Sequence, residues 1–534
     1  MAPKMIMTRL GLAVALLPMT ACGALLGTGA PPAGEPGARQ PLIDGTFTMA
    51  LSGDPGSLDP LHSVAPAARE AMSYSYESLL WTDKSGEPKP WLAEKWTATE
   101  TEATFTLRDG VTCSDGAPFT ASTAAANINY HADKKNASFY FGSMIQAGTK
   151  ATADDAARTV AVRSAGPDPF LLVQTGLIQL VCDAGLKDPK SITTETNGTG
   201  AFRLTELAAE DRYVFERRPE WTWGPNGISA TTAGLPKTVV LRIIPEESTA
   251  ANLLLSGELT AAQVTGPDRA RAEQAGLFSD GVKFPIGEFM FNEKPGRVMT
   301  DPLVRQALAT AVDRAAVATV LSDGKGTTPT SLVTLDPLAC ASDQAPWKLP
   351  DYDLAAAGAL LDEAGWKAGP DGQRTKDGKP LSVEFIYDEG RPTGPAAAEL
   401  VADSWKQLGV RTELRSLNSA GWDEKLYKTH DWDAGFVLVG SGFPSFIANF
   451  FGGEPPPNGN NFMFVDNPDY NRLAKQAASA SPEETCPLWV QAEVALVERF
   501  DVIPVVDLVE PVFANKAEFA FRGTLDPTSI RLYQ

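Results

Sequence analysis

The sequence predicts an α/β protein of two or three packed units, on three observations. The chain has 534 residues, 43% of them apolar and 21% charged, too many for one small domain and too apolar to stay disordered. Short alternating or β-branched runs recur along it. Several are followed by stretches whose apolar residues return every three or four positions, and such alternation is the pattern of strands and helices layered on one another.

The first strand is expected over 46–51, where Thr46-Phe47-Thr48-Met49-Ala50-Leu51 alternates and Ser52-Gly53-Asp54-Pro55-Gly56-Ser57 then breaks it. Thr104-Phe105-Thr106-Leu107-Arg108 alternates again and meets Asp109-Gly110, a hairpin-type turn, with a second turn at Ser114-Asp115-Gly116. The β-branched run over 238–244, ended by Pro245, is long enough for a buried strand. A helix over 247–259 follows, with Ala250, Leu253, Leu254 and Leu255 on one side and Gly257 as its stop. Asp301 is placed to cap a helix with Pro302 in its first turn and Leu303, Val304, Ala307, Leu308, Ala311 and Val312 on its apolar face. Asp353 caps the next, with Leu354, Ala357, Leu361 and Ala364 inside and Gly365 as its end. A strand over 381–387, a helix over 396–408 and a strand over 410–414 complete the alternation.

Composition excludes some functions. The 66 acidic residues against 46 basic ones give a formal charge of −20, which argues against a nucleic-acid surface, because phosphate binding needs clustered Lys and Arg. This acidity reads chiefly as a solvated surface. The three histidines, His62, His131 and His430, are far apart and none accompanies a Cys pair at zinc spacing. No protein-built metal site and no cofactor are expected.

Lys4 and Arg9 precede the apolar run Leu10-Gly11-Leu12-Ala13-Val14-Ala15-Leu16-Leu17, followed by Pro18-Met19-Thr20-Ala21-Cys22. A membrane span needs about 20 apolar residues, so this shorter run is a secretory leader, residues 1–21. The small residues before Cys22 resemble a bacterial lipobox, with Met19 where Leu is usual. On that reading Cys22 is lipidated, and the Gly-, Ala- and Pro-rich stretch 22–40 tethers an exported body to the outer face of the cytoplasmic membrane. Cys113, Cys182, Cys340 and Cys486 remain, an even number in an oxidising compartment, and two disulfides are the economical expectation among three possible pairings.

The body resembles the bacterial extracellular solute-binding proteins of family 5, the peptide- and nickel-type receptors of ABC importers. The likeness runs in order through Leu51-Ser52-Gly53-Asp54-Pro55-Gly56-Ser57-Leu58-Asp59-Pro60, Tyr76-Glu77-Ser78-Leu79-Leu80 and Pro90-Trp91-Leu92-Ala93-Glu94-Lys95-Trp96. It continues through Phe105-Thr106-Leu107-Arg108-Asp109-Gly110-Val111, Ser114-Asp115-Gly116-Ala117-Pro118-Phe119-Thr120, Gly198-Thr199-Gly200-Ala201-Phe202, and Val304-Arg305-Gln306-Ala307-Leu308 with Asp313-Arg314. The resemblance implies a two-lobed, periplasmic-binding-protein-like class II (cluster C) fold with a small domain inserted in the first lobe and a ligand cleft between lobes. Mapped here, lobe I is 41–93, 193–285 and 506–534, the insert is 94–192, and lobe II is 286–505. The favoured pairing, Cys113 with Cys182 and Cys340 with Cys486, keeps each bond inside one such domain. The implied partners are a small-molecule or peptide ligand and a membrane permease with a separate ATPase, and a monomer is expected.

Peptide-binding members commonly carry an acid in the loop after a Trp- or Tyr-Asp-Ala strand. Here Trp432-Asp433-Ala434 and a strand over 436–439 are expected, but the following loop, Gly440-Ser441-Gly442-Phe443-Pro444-Ser445-Phe446, has no acid. A buried ammonium without a carboxylate partner is costly, which favours an uncharged, capped or aromatic-bearing ligand, with an oligopeptide or modified peptide ranked first. The candidate contacts are Trp422, Phe443, Ser445, Phe446 and Asn292 from lobe II and His62 and Tyr74 from lobe I; the aromatics would equally serve as core. No Gly-x-Ser-x-Gly elbow, His-Glu-x-x-His helix or phosphate loop is present, so an enzyme is not expected. The alternatives are a lipoprotein of this fold that senses or chaperones without import and, behind it, an exported hydrolase.

Overall fold

Strands Thr46–Leu51 and Thr238–Ile243 lie parallel, Thr46 opposite Thr238 through Leu51 opposite Ile243. Their alternation buries Phe47, Met49, Val239 and Leu241 in one core. A computed structural model describes residues 39–534 except 64, 84 and 85; the expected leader, the lipidated Cys22 and most of the tether lie outside the described residues. Around the parallel pair a seven-stranded sheet forms in the order Phe278–Pro285, Asp507–Ala514, Ala261–Gln263, Thr46–Leu51, Thr238–Ile243, Arg212–Arg217, Phe202–Ala208. Helix Glu247–Ser256 packs on it and stops at Gly257, whose left-handed backbone (φ +83°) lets its N–H reach the carbonyls of Leu253 and Leu254.

A second, antiparallel sheet is built from Ala93–Ala98, Glu102–Leu107, Thr159–Arg163 and Lys150–Asp154. Its Phe105, Val160 and Val162 belong to the same continuous core as Phe47 and Val239. A disulfide joins Cys113 to Cys182, both buried in that core.

The third sheet has the order Arg411–Leu417, Ser382–Asp388, Ala434–Phe436, Glu288–Phe291, Val502–Pro504. Phe289, Phe385, Phe436 and Trp405 form an edge-on cluster on its face, with centroids 4.9 to 6.5 Å apart. Helix Gly394–Gln407 supplies Trp405, whose indole donates to the Leu308 carbonyl at 2.9 Å. The second disulfide, Cys340 to Cys486, lies in this part, and both bonds are the pairings favoured from sequence.

The helix expected after Asp301 is Pro302–Thr310, with Ala311 and Val312 just past its end, and Asp313 then caps a further helix, Arg314–Leu321, by accepting from the Ala316 N–H. One expected element is corrected. The strand expected over 436–439 is instead Ala434–Phe436. Beyond Phe436 the partner strand has run out, and Glu288 alone receives the chain, its carbonyl taking the Val437 N–H and its carboxylate the Val439 N–H.

The first and third sheets are joined by one two-stranded ribbon. Phe278–Pro285 runs antiparallel to Asp507–Ala514, and Glu288–Phe291 runs antiparallel to Val502–Pro504. Only Ile286 and Gly287 on one strand, and Val505 and Val506 on the other, separate the two halves. Gly287 is needed for close approach: a Cβ there would stand 2.8 Å from Val506 Cγ1 and 2.9 Å from Leu321 Cδ1.

The third-sheet end of the ribbon is clamped by Arg305. Its guanidinium is fully buried between Glu293, which follows one strand, at 3.0 Å and Asp501, which precedes the other, at 2.8 Å. It also donates to the carbonyls of Met299 and Phe500 at 2.7 and 3.0 Å. Removing one member of such a buried network leaves the rest uncompensated. Arg305→Leu is therefore expected to destabilise the protein by about 3–5 kcal/mol, measured as a lowered urea midpoint.

Candidate functional site

Where the parts joined by the ribbon face each other lies a cavity of about 440 Å³. One wall comes from helix Pro66–Ser73, strand Leu80–Thr82, residues 139–144 and the turn 522–527, and the opposite wall from residues 335–337 and 440–446. Val282 and Phe284 of the ribbon close its base. Residues 335–337 and 440–442 are brought together by backbone: the N–H groups of Thr334 and Leu335 donate to the Ser441 carbonyl at 3.0 and 3.1 Å. Gly442 makes this possible, since a Cβ there would fall 2.4 Å from the Asp336 carbonyl oxygen.

Helix Pro66–Ser73 turns Arg69 outward, exposed at the cavity wall, and Glu70 inward. Glu70 accepts from the Leu525 N–H at 3.2 Å, tying the helix to the 522–527 turn, and burial pushes its carboxyl up to about 7. Glu77 is held at the wall by Thr199, Trp221 and Trp223, which donate to its two oxygens at 2.8, 2.8 and 2.9 Å; burial pushes it, too, up to about 7. Arg522 lies flat over the Trp81 ring, 3.7 Å from its centroid, and pairs with Asp526 at 3.2 Å. The site can therefore grip a flat or apolar group between aromatic walls and meet a charge at its rim.

Of the residues expected to touch ligand, the structure brings Phe443 and Phe446 to the cavity. They are not both on a loop: helix Pro444–Phe451 begins directly after Phe443, Pro444 supplying its first turn. Ser445, on that helix, faces away and accepts from Gln174 Nε2 at 3.0 Å, at the edge of a separate hollow of about 390 Å³. Phe170 stands against Phe443 at 5.6 Å on the same side and also lines that separate hollow.

The other four do not line it. Asn292 is fully buried, its amide donating to the carbonyls of His430 and Trp432 at 3.0 and 2.9 Å, so it fastens strand ends and has no donor left for a ligand. Trp422 packs half-buried against the core that contains Trp432. Tyr74 is buried between Phe202 and Phe215, at 5.9 and 5.4 Å. His62 is held by Asp59 at 2.6 Å and by the Asn136 carbonyl at 2.9 Å. Sequence reasoning missed Arg69, Trp81 and Arg522; the only local signal was Arg522-Gly523, a cation beside a turn glycine.

The family model "Bacterial extracellular solute-binding proteins, family 5 Middle" matches residues 87–456. Protein XP55 of Streptomyces lividans is 29% identical over 424 residues, which cover 75% of this chain and 71% of that protein. The nickel-binding periplasmic protein of Escherichia coli (strain K12) is 27% identical over 383 residues, covering 69% and 70%. The solved structure of the oligopeptide-binding protein AppA of Bacillus subtilis, in complex with a nonapeptide, shares the fold with a TM-score of 0.74 at 19% identity, covering 93% of this chain and 100% of that one.

The buried acids make stability depend on pH in a set direction. In the folded chain Glu70 keeps, up to about pH 7, a proton that the unfolded chain releases near its ordinary value of 4.5. Stability is thus highest below that lower value, falls as pH rises between the two, and levels off above. The melting temperature is expected to fall from pH 5 to pH 8, and Glu70→Gln, neutral throughout, to flatten part of that fall in a thermal-unfolding series.

Proposed function

The chain belongs to family 5 of the bacterial extracellular solute-binding proteins, and on that premise we propose that it is the capture subunit of an ABC importer for a peptide or modified peptide. The observation that supports this best is the cavity walled from both sides of a single connecting ribbon. A solute touching both walls favours the closed arrangement by the free energy of the second set of contacts, and closure gives the permease a shape to distinguish from the empty receptor. Lobe I is 41–93, 193–285 and 506–534, with the small domain 94–192 inserted, and lobe II is 286–505. The bend falls at 286–287 and 505–506.

Phe443 and Phe446 form the apolar wall that meets the cargo. The segment 440–446 has no acid to receive an ammonium, Asp336 beside it has an interaction of its own, and Ser441 Oγ is already used by the Phe443 N–H at 3.0 Å. A peptide with a blocked amino terminus suits this wall better than one with a free ammonium. Lipidation at Cys22 holds the monomeric body at the outer face of the cytoplasmic membrane, beside a permease driven by a separate ATPase.

Native mass spectrometry of the protein purified from its own host tests the reading. The expected result is an adduct released on unfolding and identified as a short or modified peptide. A released metal chelate or sugar would refute the peptide assignment, and a protein empty in every preparation would count against tight capture.

A further inference from the structure

Resting on this receptor reading, we infer that the cavity selects a solute bearing one carboxylate, met by Arg69 and Arg522 on one wall while its apolar part lies against Phe443 and Phe446 on the other. The charges around the cavity support this. Among the described residues, five charged side chains line it: Arg69, Glu77, Asp336, Arg522 and Asp526. Glu77 has both oxygens taken by Thr199, Trp221 and Trp223. Asp336 has an interaction of its own. Asp526 is occupied by Thr528, whose N–H and hydroxyl donate to Oδ1 at 2.9 and 2.7 Å, while Oδ2 faces Arg522.

Arg69 is different. It is exposed at the wall, and among the described residues no carboxylate lies within ion-pair distance of its guanidinium. Its Nη2 sits over Gly523, where a Cβ would be 3.6 Å away, so the left-handed glycine (φ +78°) next to Arg522 brings both guanidiniums to one wall. Arg522 is fixed by its stacking on Trp81 and is balanced by Asp526. Arg69 therefore brings to this wall a guanidinium with no carboxylate among the described residues paired to it. A carboxylate, which accepts parallel N–H donors from a guanidinium fork, suits that guanidinium.

Isothermal titration of the purified protein with N-acetyl-alanyl-phenylalanine and with its C-terminal amide, two probes differing in the carboxylate alone, tests the inference. The acid is expected to bind at least about tenfold more tightly than the amide, as charge-assisted bonds to Arg require. Arg69→Gln is expected to remove that preference with the melting temperature held, and Arg69→Lys to restore part of it. Equal binding of acid and amide, a preference unchanged in Arg69→Gln, or binding of neither probe overturns the inference. The receptor reading is judged separately, by whether protein from the host carries any solute at all; a solute without an acidic group would overturn the carboxylate and leave the receptor standing.

Discussion

The antiparallel ribbon between the first and third sheets is the constraint on which the rest of the molecule depends. Two strands leave one sheet side by side and enter the other side by side, with two residues on each available to bend. Paired strands resist twisting and stretching, because either would break ladder hydrogen bonds whose loss is not repaid inside the protein. The proposed closure is then a rotation across the short unpaired stretch. Arg305 narrows the motion further, because it ties the residues flanking both strands to one buried guanidinium on the third-sheet side. Lys325 to Glu273 and Arg391 to Glu510, at 2.7 and 2.9 Å, join the same two parts beside the ribbon. Being partly exposed, these ion pairs are weak enough to exchange during such a rotation.

The small four-stranded sheet contributes differently. It shares its core with the seven-stranded sheet, while residues after it reach helix Pro444–Phe451. Gln174 to Ser445, Phe170 to Phe443, Phe139 to Phe446 and Asn449 to the Gly142 carbonyl are among the contacts made there. Ser445 thus has a place in the architecture without touching the cavity. Glu77 belongs to the same class: a carboxylate at a cavity wall invites a binding role, yet three donors 122 to 146 residues further along the chain have already claimed it.

Much of the fold was legible because it is written locally. Asp301 and Asp353 cap the helices they were expected to cap, Gly257 ends its helix in the left-handed region, and the parallel pair over 46–51 and 238–243 follows from two apolar-patterned runs. Family order then carried the assembly of these pieces, and the resemblance to family 5 agrees with the matched region 87–456. The site was less legible. Phe443 and Phe446 were found because a resemblance marked their segment, whereas Asn292 was misread because a buried Asn that fastens backbone and one that binds a ligand look alike in sequence. Arg69 and Arg522 stand at opposite ends of the body and meet only through the turn that Glu70 holds at Leu525. No periodicity joins residues so far apart, and the balance of paired and unpaired charge that distinguishes Arg69 exists only once its neighbours are placed.

The central claim is that cargo is held by both sides of the ribbon and that the ribbon bends to admit it. Crystal structures of the protein bearing its host solute, and of the same protein after the solute is stripped by unfolding and refolding, test this most directly. The account predicts solute density inside the cavity, touched by residues of the 522–527 turn and by Phe443 or Phe446, and a rotation about 286–287 and 505–506 when the solute is absent. A solute bound to one side alone, or two sides that keep the same relation with and without it, would contradict the account.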